Sequence, residues 1–177
     1  EFVDPCVTAS HLELPASTIA ELEKHLILCY TGQSRISGNI IERVMGAYQR
    51  GVTTTVQALH RLKTIAYEMK AALLAGDMAA FSVLLQENWE NQKRLDNTVT
   101  NAQINALFDL ALANGAAGGK ATGAGGGGCV LFCAKPDQEH TLRRTLSSRG
   151  VELLDFSFDL HGLQTWQVED RTRRLIQ

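Results

Sequence analysis

Apolar residues recur every three or four positions through the middle of the chain, which is the spacing of amphipathic helices. One such helix is predicted to be capped by Thr53 or Thr54 and to end at Gly76, with its apolar positions at Val56, Leu59, Leu62, Ala66, Met69 and Leu73. A second helix is capped by Asp77 and carries Phe81, Leu84, Leu85, Trp89 and Leu95. Two further helices are predicted over residues 37–50 and from about residue 101 to 114, the latter with Ile104, Leu107, Phe108 and Ala111 on one face.

Short apolar runs predict the strands. Residues 26–30 and 129–134 are almost continuously apolar, which is typical of strands that are covered on both faces. Further strands are predicted over residues 2–9, 151–158 and 164–169, with a hairpin turn at 160–163 joining the last two. A short helix, capped by Ser17 or Thr18, and a helix over 137–149 complete the set. This order predicts an α+β fold, a ferredoxin-like small antiparallel sheet with helices packed on one side.

Residues 115–128 form a glycine-rich segment, G-A-A-G-G-K-A-T-G-A-G-G-G-G. Glycine is costly to order, so many together indicate positive φ angles or a close approach to something, and the usual partner is a phosphate. A flexible linker is the alternative. Lys120 and Thr122 at defined places, and the strand that follows directly, argue against the linker.

Two common phosphate-binding motifs do not fit this segment. Walker A requires Ser or Thr after Gly-Lys, whereas Ala121 follows Gly119-Lys120. Gly123, Gly125 and Gly128 match G-x-G-x-x-G, but that dinucleotide motif needs a strand before it and a helix after it. Here the predicted order is reversed, which excludes the Rossmann interpretation.

Residues 120–128, K-A-T-G-A-G-G-G-G, resemble the third conserved motif of the GHMP kinases, such as galactokinase, homoserine kinase and mevalonate kinase. The family also has the same order of a helix ending in Gly, Gly-Gly-Lys, the motif and a buried strand. Residues 28–35, with Y-T-G-x-x-R, and residues 86–95, with a Trp followed by a basic pair, are similar to the heptose-7-phosphate kinase branch. The resemblance extends from about residue 26 to 158.

The resemblance implies that residues 1–177 are a GHMP kinase C-terminal domain, with a linking strand and short helix over 1–25 and the domain core over 26–177. The family's ATP-binding motif P-x-x-x-G-L-G-S-S-A is not in this sequence, so an N-terminal ATP-binding half is expected elsewhere. ATP and Mg²⁺ would be held mainly by that half, and no catalytic base or metal ligand is expected here. The phosphate loop of this half would comprise Gly119, Lys120, Thr122, Gly123, Ala124, Gly125, Gly126 and Gly127. Gly125→Val is expected to lower turnover strongly and to leave the fold intact.

Four residues are candidates for substrate binding: Arg35, Trp89, Lys93 and Arg94. Lys93 and Arg94 could hold a substrate phosphate, or they could be a solvated helix face. Trp89 lines a sugar pocket or is an interior aromatic residue, and Arg35 is either a site residue or a surface arginine.

The side chains in the glycine segment leave two interpretations each. Lys120 approaches a phosphate or pairs with a carboxylate that holds the loop. Thr122 donates to a phosphoryl oxygen or to the nearby backbone.

The resemblance implies an ATP-dependent sugar kinase that transfers the γ-phosphoryl group to a sugar or sugar-phosphate hydroxyl, with heptose 7-phosphate as the acceptor. Its partners would be the N-terminal kinase half and, as an open alternative, a second copy in a homodimer. This half alone is expected to be inactive. One alternative is a non-catalytic ferredoxin-like module that binds a phosphorylated metabolite or a partner subunit, and another is a different GHMP enzyme such as a fucokinase.

Composition narrows the cellular setting. The net charge of −2 gives no support for binding to nucleic acid. The chain has no apolar run long enough to span a membrane and no signal peptide is visible. Cys6, Cys29, Cys129 and Cys133 form no C-x-x-C motif, so we expect buried, reduced thiols and a cytoplasmic protein.

Overall fold

The computed structural model describes residues 2–3, 5–32 and 38–167. Two short strands, β1 (Phe2–Val3) and β2 (Cys6–Val7), form an antiparallel hairpin ahead of the domain core. The helices are α1 (Ala16–His25), α2 (Gly38–Gln49), α3 (Thr53–Ala75), α4 (Met78–Lys93), α5 (Ala102–Ala113) and α6 (Glu139–Ser148). The remaining strands are β3 (Leu26–Tyr30), β4 (Ala116–Ala121), β5 (Cys129–Ala134) and β6 (Glu152–Leu154).

Strands β3 to β6 form one antiparallel sheet in the order β4-β5-β3-β6. Successive side chains of a strand point to opposite faces, so β3 and β5 contribute to two separate cores. On the first face, residues such as Ile27 and Phe132 pack with Trp89, Phe108 and Leu142. On the second face, the core consists of Leu22, Leu26, Ala72, Phe81, Leu85 and Cys133.

The expected α+β class with a small antiparallel sheet is confirmed, and one detail differs. Helices lie on both faces of the sheet rather than on one, because α5 and α6 cover the first face while α1 and α3 cover the second. Helix α4 supplies Trp89 to the first core and Phe81 and Leu85 to the second. It therefore runs past the β4 edge of the sheet, and this placement shapes the glycine-rich segment.

The helix ends are defined by a mixture of predicted and unpredicted caps. Asp77 caps α4 by accepting from Ala80 N–H at 2.9 Å, and Gly76 ends α3 at φ 68°, as the sequence predicts. The Ser and Thr caps predicted for α1 and α3 are wrong, because Pro15 and Val52 occupy those positions without a side-chain hydrogen bond.

Two predicted helix faces also differ in detail. The buried residues of α3 are Thr55, Ala58, Ile65 and Ala72, so the predicted stripe is displaced by about one position and its Ala66 is exposed. Leu95 lies beyond the end of α4.

Strand prediction fails at both ends of the chain. The predicted strand over 2–9 is divided into β1 and β2 by a turn at Pro5. Only Glu152–Leu154 of the predicted strand over 151–158 is present, and residues 160–167 form neither the hairpin nor a strand. The chain leaves the sheet because Phe156 packs on the second core and Phe158 N–H donates to Glu23 Oε1 at 2.9 Å. Residues 168 and 169 lie outside the described part.

The cysteines are free thiols with different exposures. Cys29 and Cys133 are buried, and burial raises their pKa values to about 12 and about 11. Cys129 is half-buried, and Cys6 is exposed, so the expectation of burial is wrong for Cys6. No helix in the described part of the chain has both the length and the apolar character that crossing a membrane requires.

Candidate functional site

The glycine-rich segment consists of a strand followed by a loop. Residues Ala116–Ala121 form β4 and pair with β5, with Lys120 opposite Leu131 and Ala121 opposite Val130. Only residues 122–128, called the glycine loop below, connect the two strands. The expectation of one long loop between a helix and a strand is therefore wrong for its first half.

Gly118 and Gly119 allow other parts of the protein to pack closely against β4. A Cβ atom on Gly118 would overlap the carbonyl oxygen of Ser82 on α4. A Cβ atom on Gly119 would lie 2.5 Å from the Phe132 ring and 2.8 Å from Leu131 O. Gly119 N–H donates to Gln86 Oε1 at 3.1 Å, so this amide is already used. Gly119 was expected in the phosphate loop, but the structure places it in the sheet.

The glycine loop turns through the left-handed region of backbone space. Gly123, Gly125, Gly126 and Gly128 have φ angles of 71°, 84°, 75° and 80°, where residues with a Cβ are strained. At Gly125 a Cβ would also overlap the carbonyl oxygen of Val99. The expectation that Gly125→Val leaves the fold intact is therefore wrong, since the added side chain would displace the turn that carries Val99.

Three side chains from separate elements hold the carbonyl groups of the glycine loop. Gln92 Nε2 donates to Gly123 O at 2.7 Å, and Asn101 Nδ2 donates to Gly126 O at 3.3 Å. Thr31 donates to Gly128 O through its hydroxyl at 2.8 Å and its N–H at 2.9 Å. The carbonyl groups at the start, middle and end of the loop therefore point toward the protein.

The amide groups of the glycine loop are arranged differently from its carbonyls. Gly126 N–H donates to Val99 O. The N–H groups of Gly125 and Gly127 donate to no acceptor within the described residues. Backbone N–H groups left free by left-handed turns form nests that bind anions. The free N–H groups of the glycine loop are therefore suitable donors for phosphate oxygens.

Lys120 and Thr122 lie on either side of Ala121, the last residue of β4. Lys120 Nζ donates to Ala121 O at 2.9 Å and pairs with no carboxylate among the described residues. Burial lowers its pKa because the charged ammonium loses hydration. Thr122 donates to Cys129 O through its N–H at 2.9 Å and its hydroxyl at 3.0 Å, which is the backbone alternative. Lys120 is thus a half-buried cation beside the glycine loop, with no counter-ion in the part of the chain that the structure describes.

Of the four residues proposed for substrate binding, Trp89, Lys93 and Arg94 lie within the described part of the chain. Trp89 is fully buried and stacks on Phe108 at 5.0 Å, so its interior interpretation fits the structure and a ligand cannot reach it. Lys93 Nζ lies 2.8 Å from Glu90 Oε2, and Arg94 Nη1 donates to Asn91 Oδ1 at 3.2 Å. Arg35 lies outside the described residues.

A cavity of about 580 Å³ opens next to the end of the glycine loop. Its walls include Tyr30, Thr31, Gln103, Leu107 and Arg149. This volume is within the range of small-molecule sites. Thr31 both lines the cavity and holds Gly128, so the loop and the cavity share a border.

The donor set fits an anion and does not fit a metal ion. Free N–H groups and an ammonium are hydrogen-bond donors, which complement phosphate oxygens. Across the described ranges, no three His, Cys, Asp or Glu residues are grouped as metal ligands.

Sequence reasoning missed the residues that hold the glycine loop. Gln92 directly precedes the basic pair Lys93-Arg94, and the sequence marks Asn101 only as the start of a predicted helix. No pattern in the sequence connects either residue with a glycine that lies 31 or 25 positions away.

Comparisons with known proteins agree with this architecture. The family model described as GHMP kinases C terminal matches residues 69–152. The chain is 31% identical over 149 residues to the D-glycero-alpha-D-manno-heptose 7-phosphate kinase of Campylobacter jejuni, covering 84% of this chain and 43% of that protein. The chain therefore spans less than half the length of this relative.

Two solved structures show the same fold. A D-glycero-D-manno-heptose 1-phosphate kinase from Bacteriodes thetaiotaomicron is 27% identical with a TM-score of 0.57, over 83% of this chain and 37% of that one. The L. major mevalonate kinase, solved with R-mevalonate, is 21% identical with a TM-score of 0.64, over 71% and 38% of the two chains.

Proposed function

Because this chain carries a GHMP kinase C-terminal domain, we propose that it is the C-terminal half of an ATP-dependent sugar kinase. The acceptor we propose is a heptose 7-phosphate, as the name of the Campylobacter relative suggests. The observation that carries the proposal is the glycine loop: the carbonyls of Gly123, Gly126 and Gly128 accept hydrogen bonds from the protein, while the N–H groups of Gly125 and Gly127 donate to no acceptor among the described residues.

In this proposal the glycine loop contacts the ATP phosphates. Phosphoryl transfer depends mainly on positioning and on stabilising the charge of the transferred group. The loop N–H groups and the Lys120 ammonium would supply hydrogen-bond donors for that purpose. Mg²⁺, held by ligands in the N-terminal half, would neutralise part of the phosphate charge. ATP binding would also compensate the half-buried charge of Lys120, which has no carboxylate partner among the described residues.

The substrate phosphate would bind on the exposed side of α4. Arg94 is exposed, and its guanidinium makes a single hydrogen bond, to Asn91, among the described residues. Lys93 would have to exchange Glu90 for the phosphate. Two cations that can hold a phosphate, Arg94 and Lys93, support a sugar phosphate as the acceptor. The free state of all four thiols supports a cytoplasmic location.

The test is a substrate screen on the full-length gene product. ADP release would be followed with ATP and a panel of sugars and sugar phosphates, with the 177-residue chain alone as the comparison. We expect turnover with heptose 7-phosphate by the full-length protein and none by the chain alone. Turnover with fucose alone would support the fucokinase alternative. Phosphate-ester binding without ADP release would support the non-catalytic module and overturn the proposal.

A further inference from the structure

We infer that Gln92 is a positioning residue for phosphoryl transfer, because its side chain fixes the first turn of the glycine loop. This inference rests on the proposed kinase function. Gln92 lies in the last turn of α4, and its Nε2 donates to Gly123 O at 2.7 Å across 31 positions of sequence. It contacts the loop at the point where the chain leaves β4.

The end of α4 that carries Gln92 is held in place by buried neighbours. One turn earlier, Trp89 is fully buried against Phe108. The adjacent Asn91 is buried and donates to Glu87 O at 2.9 Å. Because this end of α4 is packed in place, the Gln92 side chain limits the motion of the loop carbonyl to which it donates.

Of the three side chains that bind the loop, Gln92 can be changed with the least effect on the rest of the fold. Asn101 also caps α5, since its Oδ1 accepts from Ile104 N–H at 2.9 Å. Thr31 binds Gly128 O through its backbone as well as its hydroxyl. The Gln92 side chain makes one hydrogen bond within the described residues, and it goes to the loop. Its removal should therefore free the loop without weakening a helix.

Among the described residues, Gly123 makes no hydrogen bond other than the one from Gln92. Its φ angle is 71°, and apart from its chain neighbours no atom lies within 4 Å of where its Cβ would be. Glycine has the widest range of backbone conformations, so a loosened turn would sample many of them. Loop amides that move cannot be pre-oriented toward the phosphates, and misplacement by about 1 Å can reduce a rate by about a hundredfold.

The experiment separates the donor from the shape of the side chain. Gln92→Glu keeps the shape and removes the donated hydrogen, whereas Gln92→Lys restores a donor of similar reach. Gln57→Glu makes the same change of charge at an exposed position of α3 and serves as the matched control. In the 177-residue chain, backbone ¹⁵N relaxation reports the order of each glycine amide.

We expect the heteronuclear NOE of Gly123 and its neighbours in the loop to fall in Gln92→Glu and to remain at the wild-type level in Gln92→Lys and Gln57→Glu. In the full-length enzyme, we expect Gln92→Glu to lower kcat/KM for ATP about tenfold, with the KM for the sugar unchanged, and Gln92→Lys to recover most of the loss. An unchanged loop in Gln92→Glu, or a loosened loop with wild-type kcat/KM for ATP, would overturn the inference. A wild-type enzyme without kinase activity would instead overturn the proposed function, and the relaxation data would still decide whether Gln92 holds the loop.

Discussion

Gly118 and Gly123 belong to one glycine-rich segment, yet each is required for a different physical reason. Gly118 has α4 against it, and a Cβ there would overlap Ser82 O. At Gly123 a Cβ would meet no atom within 4 Å apart from its chain neighbours, so glycine is needed there only because the φ angle is 71°. A sequence lists both as glycine, so the two reasons can be separated only in the structure.

This difference predicts unequal costs of substitution. Gly118→Ala should lower the free energy of unfolding by about 3 kcal/mol, because the added methyl overpacks the contact between α4 and β4. Gly123→Ala should cost about 1 kcal/mol, from backbone strain alone. Urea denaturation of the two variants measures both values. Equal losses would show that α4 does not lie against Gly118 as described.

Asp96 connects α2 to the turn that supports the glycine loop. Arg43 donates to both carboxylate oxygens, at 2.7 and 3.1 Å, and Thr98 N–H donates at 2.9 Å. The hydrogen bonds from Arg43, and then those from Thr98, hold the pKa of Asp96 well below its ordinary value near 3.8.

A carboxylate with a lowered pKa stabilises the fold above its unfolded pKa and loses that contribution as the pH falls through its folded pKa. Asp96→Asn should therefore cost about 1 kcal/mol at pH 7, and the difference from wild type should shrink below pH 4. Urea titrations at pH 7, 5 and 3 measure this, with the exposed Asp109→Asn as the control. A difference that persists unchanged at pH 3 would contradict the ion-pair assignment.

At the scale of elements, α4 and β4 form a joint that closes one edge of the sheet. Exposed strand edges carry unpaired backbone groups, which proteins cover or protect. Here Gln86 on α4 accepts from Gly119 N–H and donates to Glu90 Oε1 at 2.9 Å. The helix thereby satisfies a backbone group of the edge strand.

Gln86→Leu should leave the N–H of the buried Gly119 without an acceptor. The expected cost is about 1–2 kcal/mol, together with faster hydrogen exchange at Gly119. Exchange followed by NMR, with Gln57→Leu at an exposed position of α3 as the matched control, checks this prediction. Exchange at Gly119 as slow as in wild type would contradict the role of Gln86.

Elements with strong local signals were predictable from sequence, and those set by tertiary contacts were not. The caps Asp77 and Gly76 and the continuous apolar strand over 26–30 follow from short-range chemistry. β4 was missed because Ala, Gly and Lys have little preference for strands, and pairing with β5 overrides that preference. The segment after β6 was misassigned because contacts with α1 draw it away from the sheet.

On the scale of the whole molecule, the sheet buries apolar residues on both faces and α4 links the two cores. This arrangement fixes the glycine loop between the end of β3, the end of α4 and the start of α5. The sequence located the loop through its resemblance to a family. It could not locate the residues that hold the loop, because hydrogen bonds between distant positions leave no periodic pattern.

In the proposed enzyme, the glycine loop and Lys120 contact the phosphates of ATP. An acyl-phosphate derivative of ATP transfers its acyl group to lysines beside the nucleotide phosphates, so the labelled peptides of the full-length protein can be mapped by mass spectrometry. We predict that Lys120 is labelled, that excess ATP protects it, and that the exposed Lys135 is not labelled in an ATP-dependent way. ATP-protected labelling of other lysines, with Lys120 unmodified, would show that Lys120 does not lie beside the nucleotide phosphates.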